Sequence, residues 1–304
     1  MAPTCALIAD KNREANGCIP TEAVLRTLTY ADLFDYPLTV EEIAHYLIEC
    51  DLTPDQVEGA LLGAGAAVEQ TDGFYYLRGH GAVVGLRRGR AATAAKLWGR
   101  ARLYTQLLRR FPYVRMLAVS GALAMDNASE PADIDLLVIA EPGRVWICRR
   151  ALVLAVRCIR LLGDELCPNF ILASDSLALI QQDLFTAHEL AQMRPMSGYR
   201  VYRQTLAQNP WMRSYLPNAV PWPAPNEGRS LLHNPIQRVA ELLLSRRIFA
   251  GWERWEMERM SRKLGQDRAT GDEEICCTPS QCKGHTAGYR RNVLARYAER
   301  NVEF

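Results

Sequence analysis

Residues 118–141 read AVSGALAMDNASEPADIDLLVIAE. An apolar run ends in a Ser-Gly turn, and two aspartates then flank an isoleucine at the head of Leu-Leu-Val-Ile. Side chains alternate along a strand, so Asp133 and Asp135 fall on one face. Two like charges on a buried strand repel and are costly to desolvate. A divalent cation is the usual group that compensates them.

Working outward, VRMLAVSG predicts a first strand, ALAMDNA a short helix, SEPA a loop and DIDLLVIA a second strand. A helix is expected over 145–162. A third strand is expected in ELCPNFILAS, where Pro168 cannot donate to a ladder and so marks a sheet edge or a strand's first residues. SLALIQQDLFTAHELAQM reads as helical. Residues 216–227 are proline-rich and read as a linker or extended arm. NPIQRVAELLLSRRIFAGWERWEMERMSRKL predicts a long amphipathic helix, with Trp252, Trp255 and Met257 as core or interface residues. A Cys-rich loop and a last helix complete the chain.

The N-terminal part has a different grammar. Residues 1–18 form a poorly ordered lead-in. From Pro20 the pattern is helix, turn, helix, turn, helix, hairpin. Thr39 with Glu42 makes a capping box, Thr53 with Pro54 opens the third helix, and Asp72-Gly73 marks the hairpin turn. Three short helices and a hairpin are the order of a winged helix. Duplex DNA is not the expected partner. Residues 1–80 carry four basic and thirteen acidic side chains, and the third helix holds Asp55 and Glu58 without Lys or Arg. Phosphate contacts supply most DNA affinity, so a segment of net −9 is repelled.

Residues 81–115 carry nine basic side chains and no acid. Most lie on a helix expected over 86–111, where they form a solvated face, bind phosphates, or pair with the acidic module before it.

Over the whole chain of 304 residues the net charge is only +2. With 49% hydrophobic residues and no low-complexity tract, this is a globular composition. There is no basic leader ahead of a long apolar stretch, and the most apolar helix is broken by Arg149, Arg150, Arg157 and Arg160. No membrane span is expected. Nine cysteines without regular spacing predict mostly reduced thiols and a cytoplasmic protein. Cys276, Cys277, Cys282 and His285 lack a standard zinc spacing, and a reduced loop is the simpler reading. His188-Glu189 lacks the second His of a metalloprotease helix and is expected to pack or cap.

The strand, Gly turn, helix and Asp-x-Asp strand together resemble the nucleotidyltransferase superfamily related to DNA polymerase beta. The match runs Gly121, Ala122, ten residues, then Asp133-Ile134-Asp135-Leu136. The stretch from Leu86 to about Asn218 is also similar to bacterial nucleotidyltransferase domain proteins with an N-terminal winged helix. The segments GRVW (143–146), CPN (167–169), AHEL (187–190) and NPW with LPN (209–211, 216–218) carry that likeness.

The resemblance implies a mixed α/β (α+β) chain in parts: lead-in 1–18, winged-helix module 20–85, nucleotidyltransferase domain with a mixed sheet 86–220, and helical C-terminal region 221–304. It implies that Asp133 and Asp135 hold Mg²⁺ or Mn²⁺, that Ser120, Gly121 and Ala122 face the triphosphate of an NTP, and that an NMP group passes to an unidentified hydroxyl acceptor. Ala122 stands where the motif has Gly or Ser. Asn169 aligns with a third carboxylate, and Asp164 and Glu165 lie near it. These departures carry the alternative reading, a non-catalytic regulatory or binding protein with a degenerate site and a protein-docking module. Asp133 and Asp135 could also be structural, paired with Arg144 or Arg149.

Overall fold

Helix capping explains how the acidic N-terminal segment folds. In the computed structural model, which describes residues 18–223, 235–244, 248–268, 276–284 and 288–301, it forms α1 (Pro20–Asp32), α2 (Val40–His45) and α3 (Pro54–Gly63). Thr39 and Thr53 each accept the N–H of the third helical residue, and Glu42 and Gln56 return the bond to the cap N–H. A short hairpin follows, β1 (Val68–Thr71) and β2 (Phe74–Leu77). Its turn residues Asp72 and Gly73 both have positive φ, as an Asp-Gly hairpin turn requires. Leu28, Leu38, Ile43, Leu47 and Val57 fill the core beneath.

The basic helix α4 (Ala82–Leu108) runs from this module into the body of the protein. Of the three roles open to its arginines, pairing with the module is what the fold uses at its N-terminal end. Arg87 grips both oxygens of Glu42 at 2.6 and 2.7 Å. Its guanidinium lies over the Tyr36 and Phe74 rings. Arg88 reaches Asp72 and Arg90 reaches Asp35. Farther along, Arg100 and Tyr104 hold Asp164, which is a structural partner.

The body is a mixed sheet of six strands, ordered β6-β3-β4-β5-β8-β7. The strands are β3 (Val114–Val119), β4 (Ile134–Ala140), β5 (Leu166–Ala173), β6 (Arg194–Ser197), β7 (Cys276–Thr278) and β8 (Gln281–Lys283). β3 is antiparallel to β4 and β6, while β4 and β5 run parallel. Helix α5 (Gly121–Ala124) is one turn between β3 and β4, and α6 (Val145–Arg160) is the crossover from β4 to β5. Alternation sends Leu117, Val119 and Val138 to a core under α4 and α6. Met116, Ala118, Leu137 and Ile139 go to a second core under α7 (Leu184–Gln192), α8 (Tyr199–Ala207) and α9 (Met212–Tyr215). Both faces are covered, which is why the strands read as continuous apolar runs.

Several expectations need correction. The C-terminal region is not only helical. Besides α10 (Pro235–Leu244), α11 (Ile248–Arg268) and α12 (Tyr289–Asn301), it adds the β7–β8 hairpin to the sheet edge at β5. The helix expected from Ser176 starts only at Leu184, where Asp183 caps it. β6 was not expected: Arg-Pro-Met-Ser has little strand character alone and is placed by pairing with β3. Pro168 lies at the start of β5, before its ladder with β8 begins at Phe170. Trp252 and Trp255 are about half exposed, whereas Met257 packs on the core. Cys18 and Cys50 form a disulfide, so not every thiol is reduced; Cys148, Cys158, Cys167 and Cys282 are thiols. The lead-in to residue 17, residues 224–234 and His285 lie outside the described residues. Among the described residues no helix is long and apolar enough to cross a membrane.

The segments quoted for the resemblance have identifiable work in the fold. Trp146 is buried and donates to the Thr278 carbonyl. Asn209 accepts the N–H of Leu179 and donates to the carbonyls of Leu177 and Thr205. Asn218 donates to Ala44 and Leu52, tying the N-terminal module down. Asn209→Ala leaves the buried Leu177 and Leu179 backbone groups unpaired, so it is expected to cost about 2–4 kcal/mol. Urea denaturation measures this; a loss under about 0.5 kcal/mol would contradict the assignment.

Candidate functional site

The site is assembled where β3 hands over to α5. Ser120 lies opposite Asp135, its N–H bonded to the Asp135 carbonyl, so the turn and the aspartate strand are locked in register. Gly121 follows with φ +64°. A Cβ there would run into the Asp135 carboxylate, so the turn needs glycine on two counts. Ala122 accepts the N–H groups of Met125 and Asn127, closing the turn. Because α5 has only four residues, the dipole at its start is small.

Asp133 sits just before β4 and is exposed; Asp135 is one residue inside it and partly buried. Parallel pairing sets Cys167 beside Asp135. Ligand atoms of Asp133, Asp135 and Cys167 lie within 4.8 Å of one another. Among the described residues this is the one such group of three metal-binding side chains. Cys276, Cys277 and Cys282 do not make another: Cys277 and Cys282 face each other across the β7–β8 hairpin, and adjacent Cys276 projects from the opposite face.

Asn169 reaches this group through a β-bulge. The pairing steps from Leu136 with Pro168 to Leu137 with Phe170, leaving Asn169 without a partner in β4. A bulge re-aims the side chain it carries. Here Asn169 donates its amide N–H to Asp135 Oδ1, while its own Oδ1 is buried with no hydrogen bond among the described residues. That oxygen is an available ligand.

Electrostatics point the same way. Burial, the neighbouring Asp133 charge and, more weakly, Glu189 push the Asp135 carboxyl from 3.8 up to about 7, against the opposing Asn169 bond. Burial and the two aspartates push the Cys167 thiol up to about 11, so it stays protonated. The arginines that could have neutralised the aspartates are engaged elsewhere. Arg144 lies over the Tyr113 ring and Arg149 bonds Glu256. Glu165 is ion-paired with Arg160 at 3.9 Å.

Two residues outside the expected set complete the picture. His188 packs, as expected, and Glu189 beside it joins the electrostatics of the site. His188 is buried, stacked on Tyr30 at 3.9 Å, and driven down to about 4 by burial, so it is neutral. Glu189 is raised by burial and lies near enough to Asp135 and Tyr289 to raise both. The available signal was a lone carboxylate inside the apolar helix segment Ala-His-Glu-Leu.

The chain matches no known protein family, no curated protein and no solved structure.

The Asp135 shift has a consequence for stability. Between about pH 4 and 7 the unfolded chain has lost a proton that the folded chain keeps, so stability falls as pH rises through that window. Asp135→Asn removes the penalty. The variant is expected to match wild type below about pH 4 and to exceed it by about 2–4 kcal/mol near pH 8 in chelator. Urea denaturation at the two pH values tests this, and a difference independent of pH would refute it. Adding Mg²⁺ near pH 8 is expected to stabilise wild type and not the variant.

Proposed function

We propose that the protein is a Mg²⁺-dependent nucleotidyltransferase that moves an NMP group from an NTP to a hydroxyl acceptor. The observation that carries this reading is the convergence of Asp133 and Asp135 above the Gly121 turn with no ion pair to either among the described residues. A buried carboxylate without a counter-charge is costly, and a bound cation removes that cost. The donor set suits a hard ion: two carboxylates and the buried amide oxygen of Asn169. The protonated Cys167 thiol is a poor ligand for Mg²⁺.

In this reading Asp133, Asp135 and Asn169 hold the metal, which supplies charge neutralisation on the phosphates. Ser120, Gly121 and Ala122 set the backbone surface against which the triphosphate lies. The acceptor oxygen forms a bond to the α-phosphorus as the bond to pyrophosphate breaks, and the hydroxyl proton must pass to a base. Asn169 cannot take it. Glu165 and Glu189 are the carboxylates outside the metal set whose charges reach it.

The order of three helices and a hairpin supports reading the N-terminal module as a winged helix. The exposed acids of α3, Asp55 and Glu58, favour docking within the protein over DNA. A cytoplasmic setting, rich in NTPs and Mg²⁺, goes with this reading. The alternative, a nucleotide-sensing protein without turnover, draws on Ala122 and Asn169 standing in place of a hydroxyl and a carboxylate.

Calorimetric titration of the four NTPs with Mg²⁺ tests the proposal. Binding that requires Mg²⁺ and is lost in Asp133→Asn/Asp135→Asn is expected. If no NTP binds to wild type, the reading fails. A gel shift with duplex DNA at physiological salt is expected to show no submicromolar complex; one that vanished on deleting residues 1–80 would overturn the view of the module.

A further inference from the structure

Beside the Gly121 turn lies a cavity of about 140 Å³. Cavities of this size hold a benzene-sized molecule. Three parts of the chain that are distant in sequence build it. The N-terminal module contributes Tyr30, Tyr36 and Tyr46. Helix α7 contributes Phe185 and Glu189, and α12 contributes Tyr289. Gly121 and Ala122 form part of the wall, so the cavity adjoins the turn that carries the proposed metal group.

Its chemistry is one-sided. No Lys or Arg lines it: Arg87 and Arg90 touch the lining residues Tyr36, Phe34 and Asn127 from behind and are paired there with Glu42 and Asp35, and His188 in the wall is neutral. Glu189 is the one carboxylate in the lining, and it makes no hydrogen bond or ion pair among the described residues. Lys283 acts on Glu189 only at longer range, from outside the lining. A triphosphate would meet an acid and no cation here, so this is not the NTP end of the site. A neutral apolar ligand would fill the space but strip water from Glu189 and give it nothing in return. An organic ammonium group meets both demands. Its alkyl skin suits the aromatic walls, its charge is attracted by their π systems, and it pairs with the carboxylate.

We propose that this cavity is the acceptor subsite and that it takes a small organic ammonium compound bearing a hydroxyl, with Glu189 as its counter-charge. The acceptor role rests on the nucleotidyl-transfer reading; the binding of the cation does not. The N-terminal module thereby acquires a function, which is to supply most of the aromatic wall of a small-molecule site.

The test uses the full chain and choline as probe, with 3,3-dimethylbutan-1-ol as its neutral isostere, in ligand-observed NMR titrations. Choline is expected to saturate and to bind at least tenfold more tightly than the neutral isostere. Glu189→Gln is expected to weaken choline tenfold or more, with its fold checked by circular dichroism. Tyr289 is about half exposed at the cavity, so Tyr289→Ala offers a second variant that spares the core and is expected to weaken choline several-fold. Asp133→Asn/Asp135→Asn should keep choline binding while losing Mg·NTP. Equal binding of choline and its isostere, no saturation with choline at millimolar concentration, or unchanged affinity in both cavity variants overturns the proposal. NTP binding without choline binding removes the subsite and leaves nucleotidyl transfer standing. Choline binding without NTP binding keeps the cation site and removes its role as acceptor site.

Discussion

A carboxylate that is desolvated, crowded by a second carboxylate and paired with no cation is the constraint around which this molecule is arranged. Asp135 is held there by three independent devices. Its carbonyl takes the Ser120 N–H, which fixes the strand against the turn. Gly121 leaves room for its carboxylate where any Cβ would collide with it. The bulge in β5 swings Asn169 across to bond it. None of these contacts neutralises the charge. They hold it in place, in a position whose charge burial and the neighbouring Asp133 make costly.

The acidic and basic segments have a related logic. Their opposite charges meet in specific pairs, Arg87 with Glu42 and Arg90 with Asp35, and the neutral amide of Asn218 adds bonds to Ala44 and Leu52 from the other side. Tyr36 donates to the Met125 carbonyl just beyond α5, and Arg300 from the last helix reaches Asp32 of the first. The module is therefore seated on the site by charge, amide bonds and ring contacts together. Its acids turn inward to α4 as well as outward to water.

Much of this was legible in the chain. The capping boxes, the Asp-Gly hairpin, the long basic helix and the two strands around Gly121 follow from local rules and stand where those rules put them. Asp133 and Asp135 do converge, and Asn169 does lie beside them. What local rules could not supply was long-range pairing. β6 is a strand because β3 is beside it, and β8 joins the sheet from over a hundred residues beyond β5. The bulge at Asn169 is invisible in sequence because it is a property of two strands at once. The helix carrying Glu189 was expected to pack or cap, and the aromatic residues of two other segments that join it around the cavity could not be read from its own sequence.

Because its walls come from residues near 30, near 122, near 188 and at 289, the cavity is assembled by parts of the chain far apart in sequence. A chain that ended before Tyr289 would keep the sequence of the capped helices and of the strands around Gly121 and would lack one wall of the cavity. A fragment cut at an apparent domain boundary would lack one or more of these walls, however well that fragment folded.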